Sequence, residues 1–279
     1  MTPGRKYASG PALRIALDER LKRVSREGGL DLQRLRRQVA FDRFLAFSRA
    51  EYKFLKGGYA MELRFQTARA TKDLDFTVRV VPAGRDDILL KEIQDAGAVE
   101  FGDFFSFRIG EAMMDLDGAP YGGARYPVES IMGGRAFVKF HLDVGIGDAV
   151  LDPLEQAHMR DWLGFAGIVP PAVPMIQREQ QFVEKLHAYT LPRTVAPNSR
   201  VRDLVDMALL IQSGTLQSDR VVQALHATFD LRATHSVPKA LDPPPADWDA
   251  PFARLAAECR LELSASDAFQ VLSEFYMAL

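Results

Sequence analysis

In several stretches between Lys72 and Val144 the apolar residues of this chain alternate with polar ones, and that change of rhythm limits the folds open to it. Leu74, Phe76, Val78 and Val80 alternate with Asp73, Asp75, Thr77 and Arg79. A period of two is that of a strand with one buried face. Phe105, Phe107 and Ile109 repeat the pattern, as do Ala124, Tyr126 and Val128. After Gly133-Gly134, a natural turn, Val138, Phe140, Leu142 and Val144 alternate with Lys139, His141 and Asp143. On either side the spacing is helical. Leu13, Ala16, Leu17, Leu21 and Val24 form one stripe over 12–25, and Leu32, Leu35, Val39 and Phe44 another over 31–50, with Gly28-Gly29 as the stop between them. A short helix is expected around Met61 and Leu63, and a further one capped by Asp86-Asp87 and running to about Ala96. Past Asp152, helical periodicity covers the stretches near 176–190, 199–213, 218–229, 249–260 and 265–278, with Asn198, Ser218 and Ser264 as caps and Pro238 to Pro245 as a loop. The expected class is α+β. Residues 1–150 would carry N-terminal helices and a small mixed sheet, and residues 151–279 a helical domain, joined near 150–172.

Several function classes are excluded early. No run of eighteen apolar residues occurs, so no membrane-spanning helix is expected. Met1 to Gly10 is polar and basic and lacks a signal core. Cys259 is the one cysteine, which leaves no intramolecular disulfide and no thiolate metal cluster. These features together fit a cytoplasmic protein. Residues 1–50 hold twelve Lys/Arg against five Asp/Glu, although the whole chain is nearly neutral. A basic front end can meet a polyanion, with Arg34, Arg36 and Arg37 lining its path, or simply solvate helix faces.

The chemistry concentrates on Asp73 and Asp75. Two residues apart on a strand, they project from one face. Like charges this close repel unless a cation sits between them. Hard carboxylate oxygens suit Mg²⁺, or Mn²⁺ in its place, and Mg²⁺ takes one or two carboxylates plus substrate phosphates. Asp143, on the polar side of another alternating strand, is a candidate third metal ligand, and paired metals clamp an in-line displacement. Gly57-Gly58 stands one helix-length before Asp73, where glycines allow a close backbone approach and helix amides can face phosphate. Lys185 is a candidate donor to a triphosphate. Asp203 and Asp206 share a helix face, opposite a stripe of Val201, Leu204, Val205, Ala208 and Leu209. Each short pattern alone also fits an ordinary turn, a solvated strand face or a surface ion ladder. The chain has no Gly-x-Ser-x-Gly elbow, no His-Glu-x-x-His helix and no Walker loop.

In combination these residues resemble the AbiEii/AbiGii toxin family of bacterial nucleotidyltransferases, its MenT-like branch in particular. The resemblance runs through Leu55-Lys56-Gly57-Gly58, Met61-Glu62-Leu63-Arg64, Arg69-Ala70-Thr71-Lys72-Asp73-Leu74-Asp75, Glu184-Lys185-Leu186-His187-Ala188 and Arg202-Asp203-Leu204-Val205-Asp206. It implies a polymerase-β-like nucleotidyltransferase core followed by a helical domain. Asp73, Asp75, Lys185 and Asp206 are then the catalytic residues. Gly57, Gly58, Thr71, Lys72, Lys185 and Asp203 bind nucleotide, and Asp73, Asp75 and Asp143 hold metal. It further implies a toxin that transfers a nucleotide from CTP or UTP to the 3′ end of tRNA and so blocks aminoacylation, paired with a winged-helix antitoxin. The competing expectations are a nucleotidyltransferase with a small-molecule or protein acceptor, and a partner protein that binds NTP without catalysis.

Overall fold

Helix α1 (Gly10–Gly28) starts where Ser9 accepts the Ala12 amide at 3.4 Å and Pro11 occupies the first turn. It stops at Gly29, whose φ of 63° no β-carbon opposes. Asp31 then caps α2 (Leu32–Phe47) by accepting the Arg34 amide at 2.7 Å. In the computed structural model the described residues are 6–47, 53–65, 67–79, 90–91, 93–95, 97, 102–116, 118–170, 172–193 and 197–279. The expected Asp86-Asp87 cap lies outside them.

The chain forms two compact units. The first comprises Met1–Tyr59, Ala70–Gly147 and Gln156–Pro174, and the second Ala60–Arg69, Asp148–Glu155 and Met175–Leu279. In the first, a mixed sheet is built from β1 (Lys53–Lys56), β2 (Asp73–Val78), β3 (Phe105–Ile109), β4 (Met114–Asp115), β5 (Gly123–Met132), β6 (Arg135–Ile146), β7 (Glu155–His158) and β8 (Ala172–Met175). Their order is β3-β5-β6-β2-β1-β8-β7, with β4 on β5. β2 runs parallel to β6, whereas β1 on β2, β5 on β6 and β3 on β5 are antiparallel. The expected alternation is present, and the apolar side of β2 and β6 meets α2. Phe140 meets Phe41 and Phe44 edge-on at 5.0 and 5.9 Å. Leu13, Leu17, Leu35, Val39, Leu74 and Leu142 are fully buried. Each such side chain contributes roughly 1.5–3 kcal/mol. Besides the expected strands, the segment 150–172, read as a joint, adjoins or carries β7 and β8, and Met114–Asp115 forms β4, all too short to show a period.

Between β5 and β6 the glycine turn is present, with φ 58° at Gly133 and 77° at Gly134. Met132 pairs with Arg135 and Ile131 with Ala136, but Ser130 pairs with Val138. Phe137 is therefore an extra residue, a β-bulge that moves the register of everything beyond it by one.

The second unit packs the helices α4 (Arg178–Thr190), α5 (Val201–Gln212), α6 (Ser218–Arg232), α7 (Asp249–Cys259) and α8 (Ala265–Met277). α3 (Gly57–Arg64) begins in the first unit and ends in the second. Ser264 caps α8 in a reciprocal box with Asp267. The other two expected caps differ. Gln217 precedes α6, and Asn198 holds the turn before α5, accepting the Arg200 amide at 3.0 Å and donating to the Tyr189 carbonyl at 3.0 Å. Phe182, Leu186, Leu204, Val205, Ala224 and Phe252 anchor the core.

His187 is buried beside that core, edge-on to Phe229 at 4.9 Å. Arg232 lies 3.5 Å from its Nδ1, which assigns the proton of the neutral ring to Nε2, 2.8 Å from Thr234 Oγ1. Burial first, then Arg232 and His235, push its pKa down to about 4. Between pH 6.5 and 4 the unfolded chain therefore binds a proton that the folded chain does not, and stability falls as pH falls. The expected loss from this group is about 1 kcal/mol per pH unit across that window. Urea unfolding of wild type and His187→Gln at pH 7 and 5 checks it: the variant loses less on acidification, and equal losses would remove the assignment.

Candidate active site

The parallel pairing of β2 and β6 decides what the sheet presents on its polar face. Asp75 lies directly opposite Asp143, and Asp73 opposite His141. Residues paired across strands share a face, so Asp73, Asp75 and Asp143 form one acidic surface. The row continues on both sides, with Lys56 opposite Asp75 on β1 and Arg125 opposite Asp143 on β5.

Each carboxylate has a distinct partner. Asp73 Oδ1 is 3.1 Å from His141 Nδ1. Asp75 Oδ2 accepts the Gly58 amide at 3.3 Å, at the start of α3. Burial first, then repulsion from Asp143, push Asp75 up to about pKa 6, against the opposing pull of Lys56. Asp143 is gripped by Arg125, whose Nε and Nη2 donate to Oδ1 and Oδ2 at 2.7 Å each. Arg125 Nη2 also lies 3.7 Å from Asp73 Oδ2.

The glycines serve this arrangement directly. Gly57 has φ 66°, and a β-carbon there would fall 2.1 Å from Asp75 Oδ2. At Gly58 it would fall 2.7 Å from Thr71 Oγ1. Thr71 is buried, and its hydroxyl donates to the Asp73 carbonyl at 3.2 Å and lies 3.4 Å from the Asp73 amide. Arg37 Nε donates to the Thr71 carbonyl at 3.2 Å from α2. Lys72 is exposed. Arg36 pairs with Asp18 at 2.9 Å, so one of the three arginines expected to line a polyanion path braces α1 on α2 and another braces the Thr71 turn.

The donor set fits a divalent cation at Asp73 and Asp75: hard oxygens on one face, with the ionised form of Asp75 disfavoured by burial and by its acidic neighbours. Among the described residues no group of three or more His, Cys, Asp or Glu is arranged to hold a metal. Asp143, the expected third ligand, has both oxygens committed to Arg125.

In the second unit Lys185, Asp203 and Asp206 come together, joined by Arg69. Arg69 Nε and Nη2 donate to Asp206 Oδ1 and Oδ2 at 3.1 and 2.7 Å. Lys185 Nζ donates to Asp206 Oδ2 at 2.7 Å and to Asp203 Oδ1 at 3.4 Å. Asp206 has no exposure at all. The helix reading that set it opposite the buried stripe is corrected here, since residues 204 to 210 of α5 are buried all round. Burial disfavours these charges, but Lys185 and Arg69 outweigh it and hold the Asp206 carboxyl below its usual range. Asp206 and Asp203 in turn raise the Lys185 pKa. Cys259 is also buried, and its thiol is pushed up to about 11 by burial and Asp206. It is an inert thiol.

Arg125 and Arg69 are the residues that sequence reasoning missed. Arg69 stood inside the quoted Arg69-to-Asp75 stretch. Arg125 carried no signal until the bulge set its register.

Comparison with known proteins gives the class as nucleotidyltransferase. The family model "Nucleotidyl transferase AbiEii toxin, Type IV TA system" matches residues 39–272, and the chain belongs to that family. MenT4, the nucleotidyltransferase toxin Rv2826c from Mycobacterium tuberculosis H37Rv, is 17% identical, with 91% of this chain and 93% of that chain covered at a TM-score of 0.54. This establishes the shared fold. JHP933 from Helicobacter pylori is 17% identical over 89% of this chain and 96% of that one, with a TM-score of 0.43. A putative nucleotidyltransferase from H. pylori has the same identity and TM-score, with 90% and 99% covered. No curated protein sequence matches. The chain is thus a toxin-type nucleotidyltransferase of a type IV toxin–antitoxin system. Among the described residues no helix is long and apolar enough to cross a membrane.

Proposed function

We propose that this chain transfers a nucleoside monophosphate from CTP or UTP to the 3′ end of tRNA, blocking aminoacylation, in the cytoplasm and under the control of a winged-helix antitoxin. The observation that carries the reading is the pairing of Asp75 with Asp143, which puts the Asp73, Asp75 and Asp143 carboxylates on one sheet face. Asp73 and Asp75 hold Mg²⁺, or Mn²⁺ in its place. The ion supplies positive charge to the reacting phosphate and to the departing pyrophosphate. His141 orients Asp73, and the Gly58 amide orients Asp75. The RNA 3′-oxygen bonds to the α-phosphorus as the bond to pyrophosphate breaks, and the hydroxyl proton passes to a carboxylate of this face or to water. The turn formed by Gly57, Gly58, Thr71 and Lys72 fits nucleotide binding, with exposed Lys72 as its cation. Lys185 is the proposed donor to the triphosphate, kept protonated by Asp206 and Asp203. A lysine that retains its charge when buried suits that task.

Purified protein incubated with each labelled NTP, Mg²⁺ and total tRNA tests the reading. The expected result is label joined to the RNA 3′ end with a pyrimidine triphosphate, abolished by chelation. Label on protein or on a small molecule instead would keep the site and change the acceptor. NTP binding without any transfer would leave a non-catalytic partner protein.

A further inference from the structure

We propose that Arg125 is a built-in second cation of the acidic face, so that the site takes one divalent ion, at Asp73 and Asp75, while the guanidinium meets the phosphoryl group of the nucleotide. This rests on the nucleotidyltransferase reading and specifies how its charge is managed.

The backbone puts Arg125 there. With the Phe137 bulge, Arg125 lies opposite Asp143, and Asp143 lies opposite Asp75. Without the bulge Arg125 would lie opposite Leu142, whose side chain is in the core. A one-residue slip moves a side chain to the other face of its partner strand, so the bulge brings a cation onto the catalytic row.

The contacts say what the cation does. The fork to Asp143 is short and two-pronged, at 2.7 Å on both oxygens, the strongest geometry available to an arginine and a carboxylate. A metal at Asp143 would have to displace that fork and then sit beside its positive charge. The same Nη2 leans to within 3.7 Å of Asp73 Oδ2, so Arg125 reaches the carboxylate proposed to hold the metal. Arg125 is not sealed in: its side chain keeps 29% of its exposure, against 13% for Asp143. A guanidinium has five N–H donors, and the fork engages only Nε and Nη2. Nη1 is outside the fork and suited to a phosphoryl oxygen, the use for which a planar guanidinium is better adapted than an ammonium. Carboxylates shared by guanidinium and metal hold the cation in place before substrate arrives, so little reorganisation remains for the reaction itself.

The test counts ions as well as rate. The full chain is equilibrated with Mn²⁺ and a non-hydrolysable analogue of CTP with a methylene between the α- and β-phosphorus, and bound Mn²⁺ per bound nucleotide is measured by electron paramagnetic resonance. About one ion per nucleotide is expected, because Mg²⁺-type sites use one or two carboxylates plus phosphates. Asp143→Asn should leave that ratio unchanged, and Asp73→Asn should lower it. Arg125→Met should reduce transfer by about 10²–10³-fold, the loss typical of one removed charge-stabilising donor. A ratio of two in wild type, or a ratio that falls in Asp143→Asn, overturns the role of Arg125 and leaves the nucleotidyltransferase reading standing. No bound Mn²⁺ in wild type, with none lost in Asp73→Asn, overturns both.

Discussion

Asp206→Ala is expected to destabilise the chain by about 3–5 kcal/mol, the scale for removing one partner of a buried ion pair. The carboxylate has no exposure and carries two cations: Arg69 donates to both of its oxygens and Lys185 to one. Without it, both cations stay buried against a cavity that neither charge can tolerate. Asp203 pairs with Lys185 at 3.4 Å and acts on Arg69 only as a weaker charge than Asp206. The alanine variant therefore loses charge compensation and three hydrogen bonds together, and it exposes Lys185 to the burial that already pulls its pKa down. Asp206→Asn keeps the volume but still leaves net positive charge inside, so it is expected to fall between wild type and alanine. Urea unfolding at pH 7 gives the answer, and a loss under about 1 kcal/mol would mean the cluster is solvated rather than buried. On the proposed role of Lys185 the variant is also expected to lose transfer, because Asp206 holds that lysine, and a folded Lys185→Met should lose transfer with a smaller stability change.

Much of this was legible in the residues. The switch from helical to alternating spacing located the sheet, because burial on one face leaves a period of two in any strand long enough to show it. β2 and β6 have six and twelve residues and show it, while β4, β7 and β8 have two to four and do not. Asp73, Asp75 and Asp143 could be placed on polar faces, but which strands were neighbours, and in which direction, is tertiary information that alternation does not hold. Arg125 was hidden by a single bulged residue: counting back from a two-residue turn puts it opposite Leu142, one position from its true partner. Asp206 was hidden differently. A helix face is called polar because a carboxylate sits on it, and the reading reverses when an arginine some 137 positions earlier in the chain neutralises that charge. Long-range pairing also explains the unit boundary, since residues 60–69 and 148–155 group with helices that follow much later.

Asp75→Asn is expected to abolish nucleotidyl transfer, by about 10³-fold or more, while making the metal-free protein more stable at neutral pH. The two effects share one cause. Asp75 is pushed up to about pKa 6 by burial and by Asp143, with Asp73 adding to the repulsion. Its folded pKa lies above the unfolded value near 3.8, so the folded chain binds the extra proton between pH 3.8 and 6. That contribution to stability is complete below pH 3.8 and is lost as pH rises through 6. At pH 7 and above the wild-type side chain is ionised against its neighbours, at a cost of roughly 1–3 kcal/mol once partial exposure is allowed for. Asparagine has no charge to repel, and its carbonyl oxygen can still accept the Gly58 amide that Asp75 accepts now. It therefore keeps the turn and removes the repulsion. Chelated wild type and variant should unfold at similar denaturant concentrations near pH 4, with the variant ahead by pH 8. Adding Mg²⁺ should restore stability to wild type, because a ligand that binds only the folded state stabilises it, and should do little for the variant. A variant less stable than chelated wild type at pH 8, or one that still transfers nucleotide at saturating Mg²⁺, would mean that Asp75 is held for its shape and not for the charge it offers a cation.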